Sequence, residues 1–514
     1  MVTTTPWTTS KSMLGSLSWD MRITSLISSF AHPKILLILL PTHSHSKENI
    51  LPFLLIDFGT TSTKSALVDL DSGAFSHILR HPAIPNCAAP SGRYEIPLEA
   101  IRARFLAICT HYYDDLKVRF AGIAICSEMH GFAILDHGNK PLTNYISWMD
   151  ERSLQEIEGE STYSRIISDL GPKFQTITGM RARPGFPLFN LIHLARTSPL
   201  PATSRVVSLP GWLALCNNDS RDLIHSTILA GMGFYDVRTR RMATELTDLV
   251  ADMSGYKCRL NELAPTTASA GYWHKNGHKI PLYVGVGDHQ CSVLGACNTA
   301  TSISINMSTG SQVALIDHCI AREEIEIRPY FNDSFLSTIT HIPAGRVLSQ
   351  FIAFLEDVAQ QRADEKTDFW SMLAALEWTE VRNSTLEFDL SIFPGARNFA
   401  GGGKITHMRE GEITLKNFLG SLLKSFAQQY LELLEIFNPE RRISACILSG
   451  GIARNLPALH QLIAHFSGLQ TKTATRIDES LLGLRTLAAL AAGGADNYLE
   501  AQEIFGRKCD LESA

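Results

Sequence analysis

The sequence has no basic excess, no closely spaced cysteine pairs and no apolar run long enough for a membrane near its start, and each absence removes a class of protein. A formal net charge of −5 offers no basic surface to nucleic acid or anionic lipid, so neither partner is expected. Ten cysteines are scattered with no C-x-x-C spacing, which argues against a zinc ribbon or thioredoxin-type motif and suits reduced thiols in a cytoplasmic protein. The Ser- and Thr-rich first fifty residues hold one apolar run, residues 35–40, closed by Pro41. Six residues cannot span a bilayer. A secretory leader needs a longer apolar region and a small-residue cleavage site, and a transit peptide is Arg-rich; neither matches. Residues 1–50 are therefore expected as a poorly ordered extension or as a start codon assigned too early.

What is present is a chain of 514 residues, 45% hydrophobic and 19% charged. That suits two or three globular domains at roughly 100–200 residues each. Residues 51–56 read as a buried strand, 57–63 as a polar, glycine-containing turn and 64–70 as the returning strand of a hairpin. Ile305 lies 249 positions after Ile56 and opens the same layout, Asn306-Met307-Ser308-Thr309-Gly310-Ser311, before residues 312–316. The repeat predicts two domains of similar plan. Strand-like runs at 121–126 and 281–286 alternate with a helical stretch at 97–113. Further on, a long helix over 415–437, a strand over 443–448 and a closing helix over 481–492 are expected. This alternation predicts an α/β protein divided into residues 51–299 and 300–497, with 498–514 as a tail.

Three stretches can carry chemistry. The turn after Asp57 presents backbone N–H groups and hydroxyls with little bulk at Gly59, Thr60, Thr61 and Ser62, as a phosphate chain requires. Asp57 can hold Mg²⁺ through its waters. Alone, the same residues also suit an ordinary surface turn. In Val284-Gly285-Val286-Gly287-Asp288-His289-Gln290, Asp288 follows a strand, where it either faces a ligand or caps a helix. Ser449-Gly450-Gly451, with Asn455 beyond, brings backbone close to something flat or anionic, or makes a tight strand-to-helix connection.

Taken in order, D-x-G-T-T-S-x-K, G-D-H-Q, S-T-G-S and G-G-x-x-x-N resemble the FGGY family of carbohydrate kinases over about residues 51–496, nearest in motif to its xylulose and sedoheptulose kinases. The resemblance implies two actin-like (ribonuclease-H-like) domains, with ATP, Mg²⁺ and a small sugar meeting in the cleft between them. It implies ATP-phosphate contacts at Gly59, Thr60, Thr61, Ser62, Ser308, Thr309 and Gly310, adenosine contacts at Gly450, Gly451 and Asn455, and magnesium at Asp57. Asp288 falls on the catalytic aspartate, which contacts the sugar and takes the proton of the attacking hydroxyl. An aspartate of ordinary pKa, ~3.9, is already ionised at neutral pH and can orient the hydroxyl and take its proton late, so a raised value is not required. Lys64 either adds charge near the phosphates or points to solvent.

On the sugar side, Ser127-Glu128-Met129-His130-Gly131 resembles the Q-M-H-G of those ketose kinases, and Trp148-x-Asp150-x-Arg152 their W-x-D-x-R. Substrate contacts at Met129, His130, Trp148, Asp150 and Arg152 follow from the resemblance. Polyol binding needs polar groups and an apolar wall, which these residues supply, although His130 and Trp148 also suit core packing. Glu128 stands where Gln is usual and Asn190 where many relatives carry Lys. Arg181 and Arg183 can clamp an aldonate carboxylate, as of gluconate, or form a solvated surface pair. A ketose kinase is the first reading and an aldonate kinase the second. An actin-like ATPase with protein partners, or a sugar-binding relative without catalysis, stands behind both. Nothing in the sequence sets an oligomeric state, a homodimer included.

Overall fold

The computed structural model describes residues 51–87, 90–217, 219–296, 299, 301–317, 325–361, 367–393, 395–473, 478–506 and 512–513. The expected extension, residues 1–50, lies outside them.

Strand β1 (Phe53–Phe58) is buried at all six positions, as a central strand covered on both faces must be. It runs antiparallel to β2 (Ser62–Val68), which pairs antiparallel with β3 (Phe75–Pro82). On its other side β1 is parallel to β4 (Gly122–Ser127). A hairpin of β5 (Ser269–Lys275) and β6 (His278–Tyr283) follows, and both β6 and β7 (Val286–Gly287) lie parallel to β4. The second sheet has the order β10-β11-β9-β8-β12-β13-β14, built from β8 (Ser302–Met307), β9 (Ser311–Asp317), β10 (Glu326–Pro329), β11 (Phe335–Ile342), β12 (Ala445–Ser449), β13 (Gln470–Thr473) and β14 (Glu512–Ser513). Here β8 pairs antiparallel with β9, β9 antiparallel with β11, and β8 parallel with β12, which is parallel to β13. Each sheet therefore has a first strand flanked by an antiparallel hairpin partner on one side and parallel strands on the other. This is the actin-like, ribonuclease-H-like plan, present twice.

Helices cover the sheets. The long helix expected over 415–437 is present as Leu415–Phe437, its buried Leu419, Leu422, Leu423, Phe426, Tyr430, Leu433, Leu434 and Phe437 following the helical repeat. Helix α1 (Asp288–Gly295) packs against α2 (Glu479–Ala491) so closely that a Cβ on Gly483 would lie 2.0 Å from the Cys291 carbonyl oxygen. This contact seats the closing helix against the first sheet. Residues 498–506, expected within a tail, form the helix Tyr498–Gly506, held down by buried Ala501 and Phe505 four residues apart. Among the described residues each cysteine is a free thiol, and no helix is long and apolar enough to cross a membrane.

Candidate active site

The parallel strands of the first sheet bring three acids together. Register sets Asp57 of β1 opposite Cys126 of β4, and Cys126 opposite Val286 of β7. Phe58, Ser127 and Gly287 are the last residues of those strands and are likewise paired in register. Glu128 and Asp288 come next along the chain, so the three carboxylates gather at the carboxyl edge of adjacent parallel strands, where ligands of open α/β sheets bind.

The consequence appears at Asp288, the first residue of α1, whose Oδ1 accepts the His289 N–H at 2.8 Å. Burial first, then the Asp57 and Glu128 carboxylates, push its pKa up from 3.8 to about 7. The sequence requires no such shift and could not show it, because register crowding is not visible there. Burial likewise raises Glu128, against the lowering effect of its partners, the hydroxyls of Thr60 at 2.7 Å and Ser147 at 3.0 Å.

Asp57 is 3% exposed and its Oδ2 accepts from Ser480 Oγ at 2.6 Å and Lys64 Nζ at 3.1 Å. Lys64 is the cross-strand partner of Asp57 in the hairpin, so both side chains share a face, and the lysine points into the site instead of to solvent. Its Nζ also lies 3.2 Å from Asp478. Burial works to lower the ammonium pKa, but Asp57 and Asp478 outweigh it and the net shift is upward. Ser480 and Asp478, missed by motif reading, reach Asp57 and Lys64 from the start of α2.

The hairpin tip divides its work. Thr60 Oγ1, besides donating to Glu128, accepts from Trp148 Nε1 at 3.0 Å, so its side chain is tied to Glu128 and Trp148. Thr61 is exposed, Gly59 half-buried, and Ser62 buried with its Oγ accepting from Arg80. Trp148 is 42% exposed, an aromatic wall anchored by its indole N–H. His130 adopts a left-handed φ of 63°, sets its ring edge-on to Phe186 at 4.7 Å, and leaves Nδ1 without a partner. Burial, then Arg328 and Arg183, lower its pKa to about 3, so the imidazole is neutral. Met129 packs under Gly287, where a Cβ would lie 2.4 Å from its sulfur.

Asp150 and Arg152 are at 0% and 2% exposure and meet each other. Asp150 accepts from Arg152 Nε at 2.7 Å and Nη2 at 2.8 Å and from the Tyr94 N–H, while Arg152 also reaches Glu95 at 2.7 Å. Asn190 Nδ2 donates to the Asp150 carbonyl. These residues brace the loop that carries Trp148, and the structure does not open them to the site.

The second sheet repeats the device without acids. Asn306 of β8 faces Ser449 of β12 in register and donates to its Oγ at 3.1 Å. The turn Ser308-Thr309-Gly310 follows β8, with the Ser308 and Thr309 carbonyls accepting from the Gly345 and Arg346 N–H groups at 2.9 Å. Gly450 has φ +90° and a Cβ there would lie 2.3 Å from the Met307 carbonyl oxygen, so only glycine lets the two turns meet. Gly451 and exposed Asn455 bound the helical turn that follows. Among the described residues no group of three or more His, Cys, Asp or Glu forms a metal cage. Asp57 alone is a carboxylate of the kind that joins a magnesium ion keeping most of its waters, although its Oδ2 is held by Ser480 and Lys64.

The N-terminal domain of the FGGY family of carbohydrate kinases matches residues 53–295. The glycerol kinase of Coxiella burnetii is 24% identical over 476 residues, covering 87% of this chain and 90% of that one. The xylulose kinase of Lactococcus lactis is 25% identical over 279 residues, 52% of this chain and 53% of that one. The crystal structure of Plasmodium falciparum glycerol kinase with ADP shares the fold, with a TM-score of 0.75 at 17% identity over 90% of this chain and 94% of that one. The chain belongs to the FGGY family of carbohydrate kinases.

Proposed function

We propose that the protein transfers the γ-phosphoryl group of Mg-ATP to a hydroxyl of a small neutral sugar, a ketose of the xylulose or sedoheptulose kind first. The observation that carries this reading is the convergence of Asp57, Glu128 and Asp288 at one sheet edge, with Thr60 tying the first hairpin to Trp148. Asp288 orients the acceptor hydroxyl and takes its proton as phosphoryl transfer proceeds; such transfer needs alignment and charge neutralisation more than a strong base. Asp57 would hold Mg²⁺, which supplies positive charge to the phosphates. The backbone of Gly59 to Ser62 and of Ser308 to Gly310 binds phosphate, Gly450, Gly451 and Asn455 receive the adenosine, and Trp148, Met129 and His130 wall the sugar.

An aldonate is disfavoured because Arg183, one of the two arginines that could clamp its carboxylate, is committed to Glu326 and Thr340. ADP release by purified protein against ketoses, aldoses, polyols and aldonates tests the proposal. Ketose-stimulated release supports it, gluconate acting alone promotes the aldonate reading, and the absence of stimulation by any member returns the chain to an actin-like ATPase or a non-catalytic binder.

A further inference from the structure

A buried polar cluster beside Asp288 takes no part in these steps. Arg328 and Glu326, on one face of β10, are 5% and 3% exposed. Glu326 accepts from Arg328 Nη2 at 2.9 Å and from Arg183 Nη2. Arg328 Nη1 lies 3.2 Å from His289 Nδ1. A guanidinium only donates, so Nδ1 is the acceptor and the neutral ring carries its proton on Nε2. Arg328 Nε, His289 Nε2 and Gln290 Oε1 are then buried without any hydrogen-bond partner. Buried polar groups are normally partnered, so three unmet ones close together point to a polar group that answers them.

We propose that Arg328 is a specificity-determining residue, reaching from the second sheet to hydrogen-bond a hydroxyl of a neutral polyol remote from the attacking oxygen. This rests on the kinase reading above. The free groups are two donors, Arg328 Nε–H and His289 Nε2–H, and one acceptor, Gln290 Oε1. A hydroxyl both donates and accepts and so satisfies the mixture. A carboxylate cannot donate to Gln290, whereas a hydroxyl can, and Nη1 and Nη2 of Arg328 already donate to His289 and Glu326. Glu326 is a positioning residue that fixes the direction of Arg328.

The test compares wild type with Arg328→Lys on the best ketose of the panel and on the shortest acceptor that the wild type phosphorylates. Arg328→Lys should lose about 10- to 100-fold in kcat/KM on the longer ketose, mainly through KM, with little change on the short acceptor or in the KM for ATP. Glu326→Gln should fall between the two. Unchanged ketose constants, or equal losses on both acceptors, overturn the assignment. If Arg328→Lys does not fold by thermal unfolding, Arg328→Met combined with Glu326→Gln removes the charge pair at similar volume and takes the same comparison. A wild type without sugar-stimulated ADP release sinks the kinase reading itself and is distinguished from these outcomes at the first step.

Discussion

Asp288→Asn should stabilise the protein while abolishing turnover. The wild-type carboxyl has its pKa raised from 3.8 to about 7 in the folded state, by burial and by Asp57 and Glu128. Below the unfolded value both states carry the proton and the residue costs nothing. As pH rises towards 7 the unfolded state is charged while the folded state must keep the proton, and above 7 the folded state holds an unfavourable charge, so stability is lost across that window. At about 1.4 kcal/mol per pKa unit the full shift corresponds to about 4 kcal/mol, and because Asp288 is only half-buried solvent screening reduces it to roughly 2 kcal/mol. Asparagine keeps the shape and never ionises. Thermal unfolding of both proteins between about pH 4 and pH 8.5 measures the gap directly. The comparison is made between variants at each pH, because a chain built on two sheets need not unfold in one step. The variant should gain a few degrees at pH 8, with the gap closing near pH 4. A variant no more stable than wild type at pH 8, or one whose advantage ignores pH, refutes the clustering of acids on which the site rests.

Related measurements follow from the same electrostatics. The kcat/KM for the sugar should rise with pH through about 7, since the free enzyme needs Asp288 ionised; a profile flat from pH 5.5 upward counts against it as base. Glu128→Gln removes a carboxylate that raises Asp288 and should move that acid limb to lower pH, whereas Lys64→Met removes a cation that lowers it and should move the limb upward; pH–rate profiles of the two variants must diverge in sign. Gly450→Ala forces a Cβ to 2.3 Å from the Met307 carbonyl at φ +90°, which costs about 1–3 kcal/mol of strain, and should raise the KM for ATP on the order of tenfold with the sugar KM little changed.

Most strands, the long helix at Leu415–Phe437 and the order of the phosphate turns were legible because hydrophobic period and glycine-rich turns are local signals, although the run at 281–286 is divided between β6 and β7. The repeat of Ile56 to Ser62 in Ile305 to Ser311 corresponds to two sheets of one plan, with Asp57 and Asn306 each the last residue but one of its strand. Cross-strand facts were not legible. The sequence leaves Lys64 between site and solvent, because only the hairpin register opposes it to Asp57. Ser480 reaches Asp57 across 423 positions, a distance at which spacing carries no information. The raised pKa of Asp288 and the place of Glu128 depend on three strands ending at one level. Asp150 and Arg152 read as polar contacts for a sugar, but a carboxylate and a guanidinium two residues apart can also satisfy each other, and here they do so away from solvent.

The most direct test of the central claim is phosphoryl transfer itself. Wild type and Asp288→Ala are incubated with γ-labelled ATP, Mg²⁺ and the ketose panel, the sugar phosphate is identified by mass, and ATP binding is measured on both proteins by calorimetry. Label should move to a ketose with the wild type alone, while the two proteins bind ATP with similar affinity. Label transfer by Asp288→Ala at the wild-type rate, or no labelled sugar from the wild type, contradicts the account.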